Sequence, residues 1–405
     1  MSVLTRIPQL VGTDAPVPVT TGVVPYANFD YAASAPCLES VREAVTRALP
    51  YYSSVHRGAG YASQVTTRAY EEARESVRSF LGGPQAVVFT RNTTDSFNLL
   101  ARALPAPTSV VVFESEHHAT QLPWRNAVRL PVPASPIEAL RAAGEALRTC
   151  PQGPRLLVVT AASNVTGELW PVRELADLAH RHGARIAVDA AQLAPHRPLD
   201  ARDLDYVALS GHKLYAPFGA GVLAGRADWL RAAAPYLKGG GASRNVGSGG
   251  SVEWAADAEQ RHEAGTPNVL GAIALAAACE TLTDWEDLIA EEERLLGRLR
   301  EGLARLPAVR ELSLWGPEHP RVGIVSFTVE GRSARSVAEY LSAEHGIGVR
   351  DGKFCAHPLV RHLLGGEGGC EGADGTAVRA SIGLGTTDEH IDRLIAALRA
   401  FTDAP

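Results

Sequence analysis

Two residues stand out for the chemistry that their side chains could do together. Lys213 ends the run Ser210 to Lys213, directly after an apolar stretch, Asp205 to Leu209, that is typical of a buried strand. Asp189 ends a second apolar run, Ile186 to Asp189. A carboxylate at the end of a buried strand is costly unless a cation or a hydrogen-bond donor meets it. A lysine amine at a strand end can form a Schiff base with an aldehyde.

These two residues indicate a particular cofactor. A protonated pyridine nitrogen would give Asp189 a cationic partner, and Lys213 would supply the amine for the aldehyde of the same molecule. Ser210 and His212 lie beside that amine and could hold a phosphate. The sequence therefore predicts pyridoxal 5'-phosphate (PLP). Taken alone, the run Ser210 to Lys213 also fits a surface lysine at a strand end.

A second part of the phosphate site is predicted where the strand Ala86 to Thr90 gives way to a helix. Thr93 and Thr94 lie in that junction. Hydroxyls and backbone amides at a helix N-terminus form an anion site. The alternative is simple N-capping by Thr94 or Asp95.

Four more residues could act at the same place. The imidazole of His117 could stack on a planar ring and move a proton, and Asn164 could bond a ring hydroxyl or a substrate carboxylate. The guanidinium of Arg379 suits a substrate carboxylate. Cys355 lies in a segment with the composition of a loop, residues 350–358, where a thiol can act as a nucleophile. The alternatives are a structural histidine, a turn, a surface salt bridge and an inert cysteine.

The elements that must position these residues alternate along the first two-thirds of the chain. Helices are predicted at 96–103 and 172–182, and strands at 86–90, 109–113, 156–160, 185–189, 206–209 and 221–224. This alternation predicts an α/β domain with a mainly parallel sheet. Ligands of such sheets bind beyond the carboxyl ends of the strands, where the candidate residues fall.

The pattern changes near residue 281, and a smaller α+β domain is predicted from there. Its predicted helices are 288–305, 334–344 and 388–401, and its predicted strands are 323–329 and 347–350. The chain thus divides into an N-terminal segment, 1–28, a large cofactor-binding domain, 29–280, and a small C-terminal domain, 281–405. A glycine-rich stretch, 364–376, is expected to be a flexible loop.

Composition excludes several classes of protein. The chain has 405 residues and a net charge of −6, without a long basic block, so neither nucleic acid nor an anionic membrane is an expected partner. No apolar stretch reaches membrane-spanning length, and residues 1–10 lack the apolar core of a signal peptide, which predicts a cytoplasmic protein. The five cysteines show neither a disulfide framework nor the spacing of zinc ligands, so no metal is expected.

In their order and spacing these motifs resemble the class V aminotransferase group of fold-type I PLP-dependent enzymes. The resemblance is greatest to the cysteine desulfurase and selenocysteine lyase branch. It implies a large domain with a mainly parallel seven-stranded sheet and a smaller α+β C-terminal domain. The segments that carry it are Phe29 to Ser34, His56 to Gly58, Phe89 to Asp95, Glu116 to His118, Asp189 to Gln192, Ser210 to Lys213, Glu263 to Pro267, the Cys355 loop and Arg379.

The resemblance also implies a role for each residue. Lys213 would hold PLP as a Schiff base and later move the Cα proton, Asp189 would keep the pyridine nitrogen protonated, and His117 would stack on the ring. The other implied contacts of the cofactor are Gln192 at the ring oxygen, Thr93, Thr94, Ser210 and His212 at the phosphate, Asn164, and Thr266 from the second subunit of a homodimer. The residues implied to contact the amino acid substrate are Arg379, Asn164 and His56.

For the activity, the resemblance implies that Cys355 attacks the sulfur of L-cysteine, keeps it as a persulfide and releases alanine. The sulfur would then pass to an acceptor protein. The alternative is another enzyme on the same scaffold, a C–S lyase, an epimerase or an aminotransferase, in which Cys355 is incidental. A cofactor-binding protein without catalysis is a third hypothesis, and the presence of both Lys213 and Asp189 argues against it.

The chain departs from the pattern of this branch at four places. Gly60 stands where a second histidine often follows the run His56 to Gly58. Lys353 and Phe354 precede the cysteine where a histidine or another polar residue is common, and Asn92 replaces a glycine in the phosphate turn. The stretch 364–376 resembles an insertion. These departures concern the substrate more than the cofactor.

Overall fold

The computed structural model describes residues 7–365 and 375–403. The strands in these ranges are β1 Pro16–Val19, β2 Gly22–Pro25, β3 Ala27–Asn28, β4 Ala86–Thr90, β5 Ser109–Phe113, β6 Val128–Leu130, β7 Arg155–Thr160, β8 Arg185–Asp189, β9 Tyr206–Ser210, β10 Gly221–Gly225, β11 Ser243–Val246, β12 Val252–Trp254, β13 Val309–Leu312, β14 Ile324–Val329, β15 Ile347–Gly348, β16 Arg350–Gly352 and β17 Ala377–Ser381. The helices are α1 Glu39–Ala48, α2 Tyr61–Phe80, α3 Thr93–Ala103, α4 His118–Gln121, α5 Pro136–Thr149, α6 Val172–Arg181, α7 Ala227–Ala232, α8 Ala258–His262, α9 Val269–Thr281, α10 Trp285–Ala304, α11 Ala334–His345, α12 His357–Leu363 and α13 Asp388–Asp403, with a 3-10 turn at Leu49–Tyr51.

The largest sheet has seven strands in the order β4-β10-β9-β8-β7-β5-β6. All neighbours from β9 to β6 pair in parallel, whereas β10 runs antiparallel to both β4 and β9. The predicted α/β class with a mainly parallel seven-stranded sheet is therefore confirmed. Each parallel step requires a crossover, and those crossovers supply the helices.

Helices cover both faces of this sheet. In β7, Leu157 and Val159 belong to one apolar cluster, with residues of α5 and α6, while Leu156 and Val158 belong to another, with residues of α3 and α7. Successive strand residues point to opposite faces, so a strand buried on both sides is apolar throughout. This explains the continuous apolar runs of the sequence. It also leaves polar residues to the strand ends, where the site lies.

The C-terminal third forms a second layer of structure. An antiparallel sheet, β13-β14-β17-β16, packs on α10, α11 and α13 through an apolar cluster that includes Leu299, Phe327, Leu341 and Leu398. The start of the chain joins this layer, because β3 pairs in parallel with β15 and Phe29 lies in the same cluster. The domain boundaries at 28/29 and 280/281 stay predictions.

Three local predictions need correction or limitation. The strand predicted at 347–350 is two short strands, since β15 pairs with β3 and β16 pairs with β17 of a different sheet. The cap of α3 is neither Thr94 nor Asp95, because both lie inside the helix and the Asn92 side chain accepts a hydrogen bond from the Asp95 N–H at 3.0 Å. Of the glycine-rich stretch, residues 366–374 lie outside the described residues.

None of the helices in residues 7–365 and 375–403 combines the length and the apolar character that a membrane-spanning helix needs.

Candidate active site

A cavity of about 230 Å³ lies at the carboxyl ends of β7, β8 and β9, between the large sheet and the C-terminal layer. Elements that are far apart in the sequence supply its walls. The structure brings eleven of the predicted site residues to it: Thr93, Thr94, His117, Asn164, Asp189, Gln192, Ser210, His212, Lys213, Cys355 and Arg379.

The carboxylate of Asp189 is fixed at the end of β8. Only 5% of the residue is exposed. Its Oδ2 accepts a hydrogen bond from the Thr120 hydroxyl at 2.7 Å, and its Oδ1 accepts one from the Ala191 N–H at 2.9 Å. Asp189 therefore presents a buried negative charge in one orientation, as a partner for a cation.

The amine of Lys213 lies in the same cavity. Burial lowers its pKa to about 8, although the nearby Asp189 carboxylate acts in the opposite direction. An amine with this pKa is partly neutral near pH 7 to 8. Neutral amines attack aldehydes, so Lys213 is suited to Schiff-base formation.

An anion cradle lines the same cavity. The hydroxyl of Ser210 accepts a hydrogen bond from the Thr93 N–H at 2.9 Å and lies 2.9 Å from the Thr93 hydroxyl, at the N-terminus of α3. Gly221 permits this arrangement, because a Cβ there would lie 2.5 Å from the Cα of Asn92. The helix N-terminus and the hydroxyls together favour a phosphate.

His117 is held in a defined tautomer. Its Nδ1 accepts a hydrogen bond from the Ala119 N–H at 3.0 Å, so the proton of the neutral ring is on Nε2. Burial, with a smaller contribution from the charge of Lys213, lowers the pKa of His117 to about 4. The ring is therefore neutral at physiological pH and can stack on another planar group.

Two polar side chains complete the walls near the ring site. Gln192 donates from Nε2 to the Ala32 carbonyl at 2.9 Å, which fixes the amide while leaving its Oε1 available. His212 is half-buried, and burial lowers its pKa, with a further contribution from Lys213.

Arg379 forms a buried cationic end of the cavity. Its Nη1 donates to the Asn164 carbonyl at 2.9 Å and its Nη2 to Asp30 Oδ1 at 3.3 Å. Its Nε is buried and has no hydrogen-bond partner in the described chain. Burial raises the pKa of Asp30, and the charge of Arg379 opposes that shift. A buried guanidinium with an unused N–H is suited to binding a carboxylate.

Cys355 reaches the cavity from a loop between β16 and α12. Its side chain is exposed, whereas Phe354 before it is buried. Asn164 Nδ2 donates to the Phe354 carbonyl at 2.7 Å, and the His118 N–H donates to the Cys355 carbonyl at 2.8 Å. The thiol is therefore accessible while the backbone on both sides of it is held.

The residues present fit PLP at each of its polar groups. The cradle of α3 and Ser210 matches a phosphate, Lys213 matches the aldehyde, and the fixed carboxylate of Asp189 matches a protonated pyridine nitrogen. No cluster of three or more metal-ligating side chains occurs in residues 7–365 or 375–403.

Sequence reasoning missed several residues that support this site. Thr120, which fixes Asp189, lies one turn after His117 and carries no pattern that could have identified it. Asp30 pairs with Arg379 across most of the chain. Glu116 is fully buried, accepts a hydrogen bond from the Thr160 N–H at 3.1 Å, and has its pKa raised well above the ordinary value by burial.

Two predicted residues lie elsewhere. His56 lines a second, larger cavity of about 780 Å³, and its Nε2 lies 2.8 Å from Glu71 Oε1. Thr266 is exposed, and its neighbours Gly265 and Pro267 line that same second cavity. One chain alone does not bring either residue to Lys213, so their roles stay predictions.

The seven-stranded sheet, the lysine, the buried carboxylate and the phosphate cradle define a PLP-dependent enzyme of fold type I. The family model "Aminotransferase class-V" matches residues 27–394, and the chain belongs to this family. Its members that resemble this chain include a cysteine desulfurase of Klebsiella pneumoniae, 36% identical over 397 residues and 93% of each chain. A cysteine desulfurase of Pectobacterium atrosepticum is 35% identical over 394 residues, again 93% of each.

Solved structures agree with this assignment. The apo cysteine desulfurase of Thermococcus onnurineus has a TM-score of 0.81 at 31% identity, covering 93% of this chain and 94% of that one. An Escherichia coli cysteine desulfurase, described as an S-sulfonic acid form, has a TM-score of 0.78 at 33% identity, with the same coverage. A third structure, with glycine covalently linked to its PLP, is 22% identical and shares the fold, with a TM-score of 0.72 over 92% of this chain and 96% of that one.

Proposed function

We propose that this enzyme removes the sulfur of L-cysteine through a persulfide on Cys355 and releases L-alanine. The observation that carries the proposal is the exposed thiol of Cys355 at the cavity that also contains Lys213 and Arg379. A nucleophile, a proton carrier and a carboxylate-binding group thus face one space. The similarity to several cysteine desulfurases supports the same activity.

The substrate would be oriented by its carboxylate. Arg379 and Asn164 would bind that group, because both residues line the cavity and the buried Arg379 Nε has no hydrogen-bond partner in the described chain. PLP, when bound, supplies an electron sink that stabilises negative charge on the substrate carbons. Asp189 would keep the ring nitrogen positive, and His117 would cover one face of the ring. Lys213, with its lowered pKa, would accept the Cα proton.

The sulfur step is a displacement at the substrate sulfur. The Cys355 thiolate would attack that sulfur, forming an S–S bond while the bond between the sulfur and Cβ breaks. The electron pair of the broken bond stays with the substrate carbon, which gains a proton and leaves as alanine. No external oxidant is needed. The two electrons that the sulfur loses when it becomes sulfane sulfur are gained by the carbon that becomes the methyl group of alanine.

The test is product formation from L-cysteine. Wild type should release alanine and, with a thiol reductant, an equal amount of sulfide. Cys355→Ala should lose both products while keeping the absorbance of the lysine-bound cofactor. Cys37→Ala is the matched control, because Cys37 is a free cysteine that does not line the cavity. Turnover that is indifferent to Cys355 would instead favour a C–S lyase, an epimerase or an aminotransferase.

A homodimer would complete the site, as the resemblance implies for Thr266. Large apolar side chains are exposed on one face of the chain: Leu49, Tyr51, Tyr52 and Tyr61. An apolar cavity of about 300 Å³ on that face is lined by Tyr51, Tyr52 and residues of α9, the helix that begins directly after the Thr266 loop. A second copy covering this face would bury those side chains and could bring Thr266, and His56 with it, to the partner's cofactor.

Mixed subunits test this arrangement. Lys213→Ala and Thr266→Ala should each be poorly active alone. A dimer formed from one subunit of each kind would contain one intact site, with its Lys213 and Thr266 on different chains. After equimolar mixing with random exchange of subunits, recovery of up to about a quarter of the wild-type activity is the expected result, because about half of the dimers are mixed and each has one intact site of two. No recovery, with dimers formed, would place Thr266 outside the partner's site.

The sulfur would leave from Cys355 to a thiol of an acceptor protein. The thiol is exposed, and Cys37, Cys150, Cys279 and Cys355 are all free, as in a reducing compartment. We therefore propose a cytoplasmic enzyme whose persulfide is attacked by an acceptor thiolate, with Cys355 as the leaving thiolate. Transfer of radiolabelled sulfur from the persulfidated enzyme to a thiol-containing protein would measure this step.

A further inference from the structure

The segment Phe354–Cys355 has a backbone conformation that its residue types disfavour. Phe354 and Cys355 have φ angles of 51° and 52°, in the left-handed region. Such a conformation is strained for a residue that is not glycine. The segment also separates the two side chains, since Phe354 is 9% exposed whereas Cys355 is exposed. Surrounding contacts must therefore hold it.

Those contacts form a closed circuit of three residues, in which the main-chain carbonyls of Phe354 and Asn164 accept the two hydrogen bonds. Asn164 Nδ2 donates to the Phe354 carbonyl at 2.7 Å, and the Asn164 carbonyl accepts from Arg379 Nη1 at 2.9 Å. The circuit is closed by the Arg379 guanidinium, whose Cζ lies 5.1 Å from the centroid of the Phe354 ring. This distance is within the range of a cation–π interaction.

The ring of Phe354 is also anchored on its apolar side. It belongs to a cluster with Val165, Leu359, Val360 and Ala377, which connects α12 to β17. Phe354 thus lies between this cluster and the guanidinium. A smaller side chain would leave a gap beneath Arg379, whose Nε has no hydrogen-bond partner within the described chain.

We infer that Phe354 is a positioning residue that couples the binding of a carboxylate at Arg379 and Asn164 to the position of the Cys355 thiol. The inference rests on the proposed function for the roles of Arg379 and Cys355. A carboxylate bound to Arg379 and Asn164 would restrict the motion of both side chains. Because both contact Phe354, the backbone beside Cys355 would then become more ordered. Amino acids with a free carboxylate would then meet a positioned thiol, whereas related amines would not.

The experiment measures the coupling directly, without turnover. The holoenzyme is treated with iodoacetamide, and the alkylation rate of the peptide containing Cys355 is followed by mass spectrometry with and without saturating L-alanine. In wild type we expect L-alanine to change that rate at least about fivefold, the lower end of typical coupling between sites. In Phe354→Ala the change should fall below about twofold.

Two further variants make the result specific. Phe401→Ala is the matched control, because Arg332 Cζ lies 5.2 Å from the Phe401 ring centroid at a place outside the cavity. It should keep the wild-type response to L-alanine. Phe354→Leu retains an apolar anchor and loses the cation–π interaction, so it should raise the KM for L-cysteine about three- to tenfold, with kcat changed much less.

Several outcomes would overturn the inference. L-Alanine could shield Cys355 equally in wild type and in Phe354→Ala, or leave the wild-type alkylation rate unchanged. If Phe354→Ala does not fold, Phe354→Leu decides, and a wild-type KM with a wild-type response to L-alanine contradicts the coupling. Failure of the proposed function looks different, since Cys355 would then acquire no persulfide from L-cysteine although L-alanine still changes its alkylation.

Discussion

Two parts of the cavity are built in opposite ways: the cofactor end, at Asp189 and Ser210, and the loop 353–356 that carries Cys355, called the sulfur loop here. Asp189 and Ser210 end strands of a sheet that is buried on both faces, and short hydrogen bonds from Thr120, Ala191 and Thr93 fix them. Cys355 is exposed on a loop with two left-handed residues, and backbone carbonyls rather than its thiol receive the supporting hydrogen bonds. Groups that hold a cofactor need rigidity, whereas a nucleophile that collects and delivers sulfur needs access.

Replacing Lys213 should have the largest effect of all. Lys213→Ala removes both the amine that links the cofactor and the group that moves the Cα proton, so kcat should fall by about 10³-fold or more. The measurement is alanine formation from L-cysteine together with the absorbance of the bound cofactor. Lys238→Ala, an exposed lysine outside the cavity, should retain wild-type values. Substantial turnover by Lys213→Ala would show that Lys213 is not required for the reaction.

Asp189 should show the next largest effect. Asp189→Asn keeps the shape and loses the charge that a protonated ring nitrogen requires, so kcat should fall by about 10²-fold and the cofactor should dissociate more readily. Asp205→Asn is the control, because Asp205 is also 5% exposed but directly precedes β9, at the opposite end of the parallel strands, and pairs with His180. Equal losses in both variants would mean that the effect reflects stability only.

The sulfur loop should respond without any change at the cofactor end. Asn164→Ala leaves the buried Phe354 carbonyl without its donor, which costs about 1–3 kcal/mol, so the rate of persulfide formation should fall about tenfold. The absorbance of the bound cofactor should stay as in wild type, which would separate this role of Asn164 at the loop from the contact with the cofactor that the resemblance implies. Asn98→Ala removes a comparable 2.8 Å bond from a side-chain amide to a backbone carbonyl on the outside of α3, and should have no effect. A changed cofactor spectrum in Asn164→Ala would show that the sulfur loop and the cofactor end do not respond independently.

The pKa of Lys213 predicts an effect of pH on the assembly of the cofactor end. Because burial lowers it to about 8, the neutral amine increases roughly tenfold between pH 7 and pH 9, and the rate of PLP incorporation into apoenzyme should rise about as much and then level off. The lowered pKa of Lys213 also makes the stability of the folded apoenzyme depend on pH. The unfolded lysine binds its proton up to a higher pH, so the contribution of this group to the stability of the apoenzyme increases as pH rises from about 8 towards the ordinary value of 10.5. An incorporation rate that still rises steeply above pH 9.5 would contradict a lowered pKa.

Much of the large sheet could be predicted because its signals are local. The predicted strands 86–90, 109–113 and 185–189 match β4, β5 and β8 residue for residue. The short strand β6 was missed, since three residues with an exposed valine and arginine carry no usable period. The strand pair β15 and β16 looked like one element, because the sequence does not show that the two belong to different sheets.

The sequence by itself determined the chemical groups: a lysine and an aspartate after buried apolar runs, a hydroxyl-rich helix start, and a cysteine in a loop. The tertiary structure alone decided how they meet. The Thr120 bond to Asp189, the Asp30 contact of Arg379 and the circuit through Asn164 and Phe354 join residues between 69 and 349 positions apart. Strand signals arise from neighbouring side chains and can be read locally, whereas hydrogen bonds between distant segments exist only once the sheet and the C-terminal layer have packed together.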